Sequence, residues 1–474
     1  MNIERYEKIK KYMAENADEI CRTLFDAVSM PSVRSESKKK DEPFGHDCAH
    51  CLSECAKMFG REGFETEVFS EGGYALVRYG EGGKSIGLFA HTDVVPVNAD
   101  EWIYTKPFEP KKFGDTLVGR GVSDNKAGVI ASLFALRAMR DLGIKPKNRI
   151  TVFLGSNEES GMADVQNFAR EQKMPELSFV PDSGFPICLG QKGIFRFNVT
   201  AEKPFEDIVT MSGGSAYNIV CDKVTAEIKK TDALEKEMSA HPDFISVTVG
   251  TEFITVTATG KASHAAEAQN GINALKLMSE YLVTLPSICE KDKKILRFVN
   301  ESLSDAYGTS MGIASSNALF GALTASNGIV RLRDGRLEYT FDVRFGNVLT
   351  SAEIVSRIVK YFENGGFSYK KHSLSDCLSL PEDSEVVRTY MDAYRALTGD
   401  NEAKAKPYIM GGGTYAYHLK NAYAVGFSVW KNSDMEFPEG HGGCHQPDER
   451  ISLSGICEGA ALLCELVLCE DEIL

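Results

Sequence analysis

The sequence predicts an α/β fold: a mixed sheet flanked by helices, built from residues 1–190 and 385–474 and interrupted by an inserted α+β segment, 191–384. Three observations predict it. Strand-like apolar runs alternate with covering helices up to about residue 190, which argues for an α/β layer structure. From there to about 345, "GIFRFNVTAE", "FISVTVGTEFITVTATG" and "RLEYTFDVRF" alternate apolar and polar residues, as antiparallel strands with one wet face do. The α/β style then returns at "VVRTYMDAYRALTG" and "YAVGFSVW". A chain of 474 residues also exceeds one ordinary core, so two domains are the default.

In chain order, residues 3–29 read as one helix, followed by the polar loop "SVRSESKKKDEPFG". In "HDCAHCLSECAKM", Cys48, Cys51, Cys55 and Met58 fall at i, i+3, i+7 and i+10, the apolar stripe of a helix, so the cysteines read as small core hydrophobes rather than a zinc knuckle. "YALVRYG" and "SIGLFAHTDVV" follow as strands, "DNKAGVIASLFALRAMRDLG" as an apolar helix stopped by glycine, then "NRITVFLGSNEE" and "LSFVPDSG" as strands. The insertion adds helices after Gly271 and Thr350. In the last helix Leu453, Ile456, Cys457, Ala460, Leu463, Cys464 and Val467 form a 3.6-period stripe.

Composition excludes several classes. The hydrophobic share is 43% and the charged share 25%, values of a globular protein, and no apolar run of about 18 residues is available to span a bilayer. A net charge of -14 without a basic stripe disfavours nucleic acid. The start, "MNIERYEKIKKYMAENADEI", lacks the apolar core of a signal peptide, and the scattered cysteines suit a reducing compartment, so the expected location is the cytoplasm.

Five stretches end strands or fill loops with metal-ligand chemistry. "GLFAHTDVVPV" closes a buried strand with His91 and Asp93, and residues i and i+2 of a strand point to one face. "GRGVSDNKAG" sets Asp124 before a helix, where it would also serve as an N-cap. "FLGSNEESG" places Glu158 and Glu159 together, a costly pair unless solvated or bound to cations. "FVPDSG" contributes Asp182, and "HGGCHQPDE" His441 and His445. His91, Asp124, Glu159, Asp182 and His445 would suffice for two zinc-like ions if one carboxylate bridges, leaving Glu158 free as a base.

These motifs, in this order, resemble the di-metal exopeptidase family of aminoacylases, carnosinases, succinyl-diaminopimelate desuccinylase and bacterial dipeptidase V, and the length and insertion are most similar to the dipeptidase V branch. The resemblance implies a catalytic domain of the phosphorylase/hydrolase type with an inserted lid. It implies that His91 and Asp182 hold one ion, Glu159 and His445 the other, with Asp124 bridging and Asp93 orienting His91 from behind. Glu158 would take a proton from a metal-bridging water and pass it to the leaving nitrogen. "GKASHAAEAQNGINA" supplies His264, resembling the lid histidine aimed at the developing oxyanion. Asn218, Arg344 and the glycine-rich "IMGGGTYA", with Gly412, Gly413 and Thr414, would bind the substrate, Arg344 by bidentate pairing with a carboxylate.

The chain departs from the family's pattern in "HAAEAQ", where a proline usually follows the histidine, and in "QKG", where Glu-Lys-Gly is common. The expected reaction is hydrolysis of dipeptides or very short peptides with two divalent ions, Zn, with Mn or Co as alternatives. A deacylase of N-acyl-amino acids would use the same metals with a different pocket. A non-catalytic peptide-binding protein is disfavoured by retention of Glu158 with all five ligands. Simpler lids of the family pair between subunits. Here the insertion, on the order of 190 residues, has room for two modules. Its segment 275–340 is expected to cover the edge that dimerising relatives leave for each other, giving a monomer in which His264 serves its own active site.

Overall fold

A computed structural model describes residues 2–474. The chain divides into two compact units, residues 1–189, 380–408 and 414–474, and residues 190–379 and 409–413.

The first unit is built on a mixed sheet. Its order runs from Glu65–Phe69 through Tyr74–Tyr79, Arg149–Gly155, Ser85–His91, Leu177–Ser183 and Ala422–Gly426 to Ile187–Gln191. The four central strands are parallel, and the register His91↔Gly155 brings two of them to a common end. Parallel central strands are covered on both sides, which explains their near-continuous burial, and ligands of such sheets bind beyond the strands' carboxyl ends. The last helix, Leu453–Ile473, is buried almost all round and packs against Ile3–Glu15, Lys126–Asp141 and Glu385–Thr398. Glycine is required at 459, because a Cβ there would lie 2.4 Å from the Phe427 carbonyl oxygen.

One expectation is corrected. Residues 3–29 form two helices, Ile3–Glu15 and Ala17–Val28, because Asn16 leaves helical geometry and its side chain donates back to the Tyr12 carbonyl at 2.8 Å. The cysteine helix, His46–Arg61, buries Cys48, Cys51 and Cys55 while His46 and His50 face outward and stack on each other. All twelve cysteines are free. No helix among the described residues is long and apolar enough to cross a membrane.

In the second unit all pairings are antiparallel, in the order Ile245–Val249, Phe253–Thr259, Lys223–Lys229, Ile208–Gly213, Val330–Arg333, Arg336–Phe345, Gly193–Ala201 and Phe367–Ser375. A four-stranded half and a five-stranded half, the latter including the short Thr324–Ser326 paired with Arg336–Phe345, meet at Ile208–Gly213 and Val330–Arg333, where only Ser212↔Arg331 and Gly213↔Val330 pair. Arg331 reinforces the seam by donating to the Gly213 and Gly214 carbonyls. Phe195, Phe197, Tyr339, Phe341, Phe362 and Phe367 fill the core of the half that contains Ser351–Asn364, whose capping box at Thr350 and Glu353 fixes the helix start.

Glu470 stands out in the final helix. It is fully buried, both carboxylate oxygens lack a hydrogen-bond partner among the described residues, and burial, aided by Glu385, pushes its pKa up to about 8. A raised carboxyl pKa means that the folded state holds the proton more tightly, so stability falls as pH rises from about 4.5 to about 8. Glu470→Met should raise the melting temperature at pH 8 more than at pH 5. Equal shifts at both pH values in thermal denaturation would contradict this.

Candidate metal centre

The carboxyl ends of the parallel strands and the loops after them gather six of the predicted residues in the first unit. His91 ends its strand and Asp182 lies near the end of the next. Glu158 and Glu159 follow Gly155, Asp124 precedes the helix Lys126–Asp141 across a cis peptide bond to Asn125, and His445 lies in the loop before the final helix. His91 Nε2 is 3.2 Å from Asp124 Oδ1 and 3.7 Å from Asp182 Oδ1. His445 Nε2 is 3.0 Å from Asp124 Oδ2 and 3.2 Å from Glu159 Oε2. The two oxygens of Asp124 therefore face two different imidazoles. Donor atoms of His91, Asp124 and Glu159, and again of His91, Glu158 and Asp182, converge within 4.8 Å.

This arrangement fits cations. His91 Nε2, Glu158 Oε1 and Glu159 Oε1 are buried without a hydrogen-bond partner among the described residues. Buried polar atoms are seldom left so unless an ion or water completes them. The donors are imidazole nitrogens and carboxylate oxygens, the set that suits zinc, manganese or cobalt.

The electrostatics agree. Burial pushes Glu158 well up and Glu159 up to about 7, the latter helped by the Asp124 charge, and burial also raises Asp182. Burial opposes ionisation of Asp124 too, but His445 and His91 outweigh it and hold that carboxyl below its usual range. Hydrogen bonding to Asp124 and Glu159 raises His445 to about 11. His91 is raised as well, because Asp182, Asp124 and Asp93 overcome the burial that disfavours its charge. Without metal, protons on the imidazoles offset the carboxylates. Since a metal takes neutral imidazole, loading the site at pH 7 should release protons, and affinity should fall as pH falls. Titration calorimetry in buffers of different ionisation enthalpy checks this; a heat independent of the buffer would contradict it.

Supporting residues fix the ligands. His91 Nδ1 lies 2.9 Å from the Asp93 carbonyl oxygen and 3.4 Å from the Asp93 carboxylate. That carboxylate also accepts from the backbone of Glu158 and Glu159, at 3.0 and 3.1 Å, so Asp93 orients the acidic pair as well as the histidine. Three supports escaped the sequence reading. Glu449 accepts from the backbone of Gly121, Ser123 and Asp124 and from Arg120 Nη1, clamping the loop that carries Asp124. Asp164 accepts from Ser156 N, Asn157 N and the Tyr415 hydroxyl beneath the Glu158 turn. Asp448 accepts from Ile103 N and Tyr104 N and pairs with His441 at 2.7 Å, which leaves His445 as the imidazole at the centre. His445 and Asp448 hold left-handed backbone with φ of 64° and 54°, strain of the kind that functional sites retain. The "HQPDE" motif was the signal for Glu449; nothing in the sequence marked Asp164.

Thr414 belongs to the first unit, and Asn218, His264, Arg344, Gly412 and Gly413 to the second. Asn218 and His264 are neighbours: Ala265 N donates to the Asn218 carbonyl at 2.8 Å, and Thr324 Oγ1 holds the Ala265 carbonyl. Arg344 is buried, and its Nε and Nη2 edge already engages Asp342 at 2.5 and 3.1 Å while Nη1 donates to the Gly411 carbonyl. The guanidinium edge expected to fork onto a ligand carboxylate is therefore partly taken.

Residues 87–468 match the model of peptidase family M20/M25/M40. A protein of Staphylococcus haemolyticus that bears a provisional dipeptidase name is 27% identical over 481 residues, covering 97% of this chain and 98% of its own. A similarly named protein of Staphylococcus aureus is 26% identical over 486 residues, covering 98% and 99%. Among solved structures, human carnosine dipeptidase 1 superposes with a TM-score of 0.62 at 14% identity, covering 98% of this chain and 99% of that one. The dipeptidase Dug1p from Saccharomyces cerevisiae gives 0.61 at 13%, covering 98% of each chain. At such identities the two structures are evidence of a shared fold alone.

Proposed function

Because the chain belongs to peptidase family M20/M25/M40, we propose that it hydrolyses dipeptides, or other very short peptides, with two divalent ions. The observation that carries this reading is Asp124, whose oxygens face His91 at 3.2 Å and His445 at 3.0 Å. His91 and Asp182 would hold one ion, Glu159 and His445 the other, and Asp124 would contribute to both. Zinc suits these donors, as do manganese and cobalt. When bound, the ions supply Lewis acidity toward the scissile carbonyl and acidify the attacking water. Glu158 takes that water's proton and delivers it to the leaving nitrogen, a task for which a carboxylate of raised pKa is suited. Asp93 holds Glu158 and His91 in place.

In the same reading His264 faces the developing oxyanion, and Asn218, Arg344, Gly412, Gly413 and Thr414 bind the substrate. The seam between the two halves of the second unit's sheet supports a monomer, since the segment ending in Val330–Arg333 covers the edge of Ile208–Gly213. The free cysteines support a cytoplasmic location. A dipeptide library and an N-acyl-amino-acid panel, assayed before and after chelation and with Zn, Mn or Co restored, test the proposal. Dipeptide turnover that survives chelation, or turnover confined to acyl-amino acids, would overturn it.

A further inference from the structure

Beside the proposed metal centre the first unit contains a cleft of about 290 Å³, whose lining includes Asp124 and Asp182. Its walls are largely apolar. Phe427 and Val429 form one wall, held against the final helix by two glycines: a Cβ at Gly455 would meet the Val429 carbonyl at 2.3 Å, one at Gly459 would meet the Phe427 carbonyl at 2.4 Å, and Val429 N donates to the Gly455 carbonyl. Ser183 and Gly184 form another, fixed by the Tyr408 hydroxyl, which donates to Ser183 Oγ at 2.6 Å and accepts from Gly184 N at 3.0 Å. Ile451 adds further apolar surface.

The lining includes Trp430, which is 70% exposed, the largest exposure among the described large apolar side chains. An aromatic ring left so exposed beside a cleft marks a contact surface rather than a core element. Arg450 lies 5.4 Å from the Trp430 ring and 4.4 Å from that of Phe437 and has no carboxylate partner among the described residues. The other cation lining the cleft, Lys431, is neutralised by Glu458 at 2.6 Å.

We propose that this cleft is the side-chain pocket for one of the two residues of a dipeptide substrate, selecting a bulky apolar side chain and rejecting a cationic one. The inference rests on the peptidase reading of the adjacent centre. Apolar walls reward burial of aliphatic or aromatic surface. The uncompensated Arg450 charge makes a lysine or arginine side chain costly there, a repulsive element that sharpens specificity. The volume exceeds the needs of a leucine side chain, so aromatic residues are accommodated.

The test uses the full, metal-loaded chain with Glu158→Ala to prevent turnover and Trp102→Phe so that Trp430, the other of the two tryptophans, reports alone. Its emission is followed on titration with Gly-Gly, Gly-Leu, Leu-Gly, Gly-Lys and Lys-Gly. One leucine dipeptide should saturate the signal at a concentration at least about tenfold below Gly-Gly and the matching lysine dipeptide, the scale on which apolar pockets discriminate. Arg450→Met should narrow the lysine disadvantage. In the active chain, Trp430→Ala should lower the leucine-over-glycine ratio of kcat/KM at that position, and its exposure means that folding is spared. Equal titration by all five dipeptides, or no saturable change, overturns the pocket. Selective binding without hydrolysis by the active chain overturns the peptidase reading and leaves the pocket standing.

Discussion

Glu158→Ala is expected to lower kcat/KM for a cleaved dipeptide by at least about a hundredfold while both ions remain bound, the loss typical of removing a general base. The carboxylate is buried beside the proposed metal ligands, one of its oxygens has no hydrogen-bond partner among the described residues, and burial raises its pKa. Its position is set from the backbone, since Glu158 N donates to Asp93 at 3.0 Å, so removing the side chain leaves the loop and its neighbour Glu159 in place. Proximity alone admits a rival role, because a Glu158 oxygen also lies within 4.8 Å of donors from His91 and Asp182 and would serve as a ligand. The two roles separate cleanly. A ligand's removal costs metal, whereas a base's removal costs turnover at full occupancy. Near-normal turnover, or the loss of one ion by elemental analysis, would remove Glu158 from the role of base.

Four of the proposed ligands were marked because an apolar strand or helix there meets a polar residue of a type that the core would not otherwise keep, whereas His445, in a loop, was marked only by the resemblance. His91 after "GLFA" and Asp182 after "FVP" are such cases, and the parallel register that aligns His91 with Gly155 turns these separate endings into one site. The supports were less legible, since their meaning lies in long-range hydrogen bonds. Glu449 belongs to "HQPDE", but its role is unmarked until its carboxylate is seen to accept from three backbone groups of residues 121–124. Asp164 reads as the acidic first turn of a short helix, and only folding sets Tyr415 against it. Arg344 shows the converse difficulty. A guanidinium in "FDVRF" suggests a free fork for a carboxylate, but its own strand neighbour two residues back, Asp342, shares its face and claims one edge. In the first helix, helical periodicity continues across Asn16, so apolar pattern gave no warning of a break made by one side chain bonding to the backbone.

His445→Ala and Asp124→Ala are expected to differ in how much metal they lose. His445 Nε2 reaches Asp124 Oδ2 and Glu159 Oε2 and no other carboxylate at the centre, so its removal takes one donor from one ion. In the proposed arrangement the other ion would keep His91, Asp182 and Asp124, whose geometry is anchored separately through Asp93 and Glu449. His445→Ala should therefore purify with about one ion after dialysis, the site with three protein donors being the one retained. Asp124→Ala removes the group that faces both imidazoles and should leave neither ion tightly bound, with activity at background. It should still fold, because the Asp124 contact to Glu449 runs through its backbone nitrogen at 2.9 Å and survives the truncation. Elemental analysis with thermal denaturation decides. Two tightly bound ions in the histidine variant would exclude His445 from the centre, and unequal loss in the aspartate variant, one ion kept at full occupancy, would show that Asp124 serves a single ion.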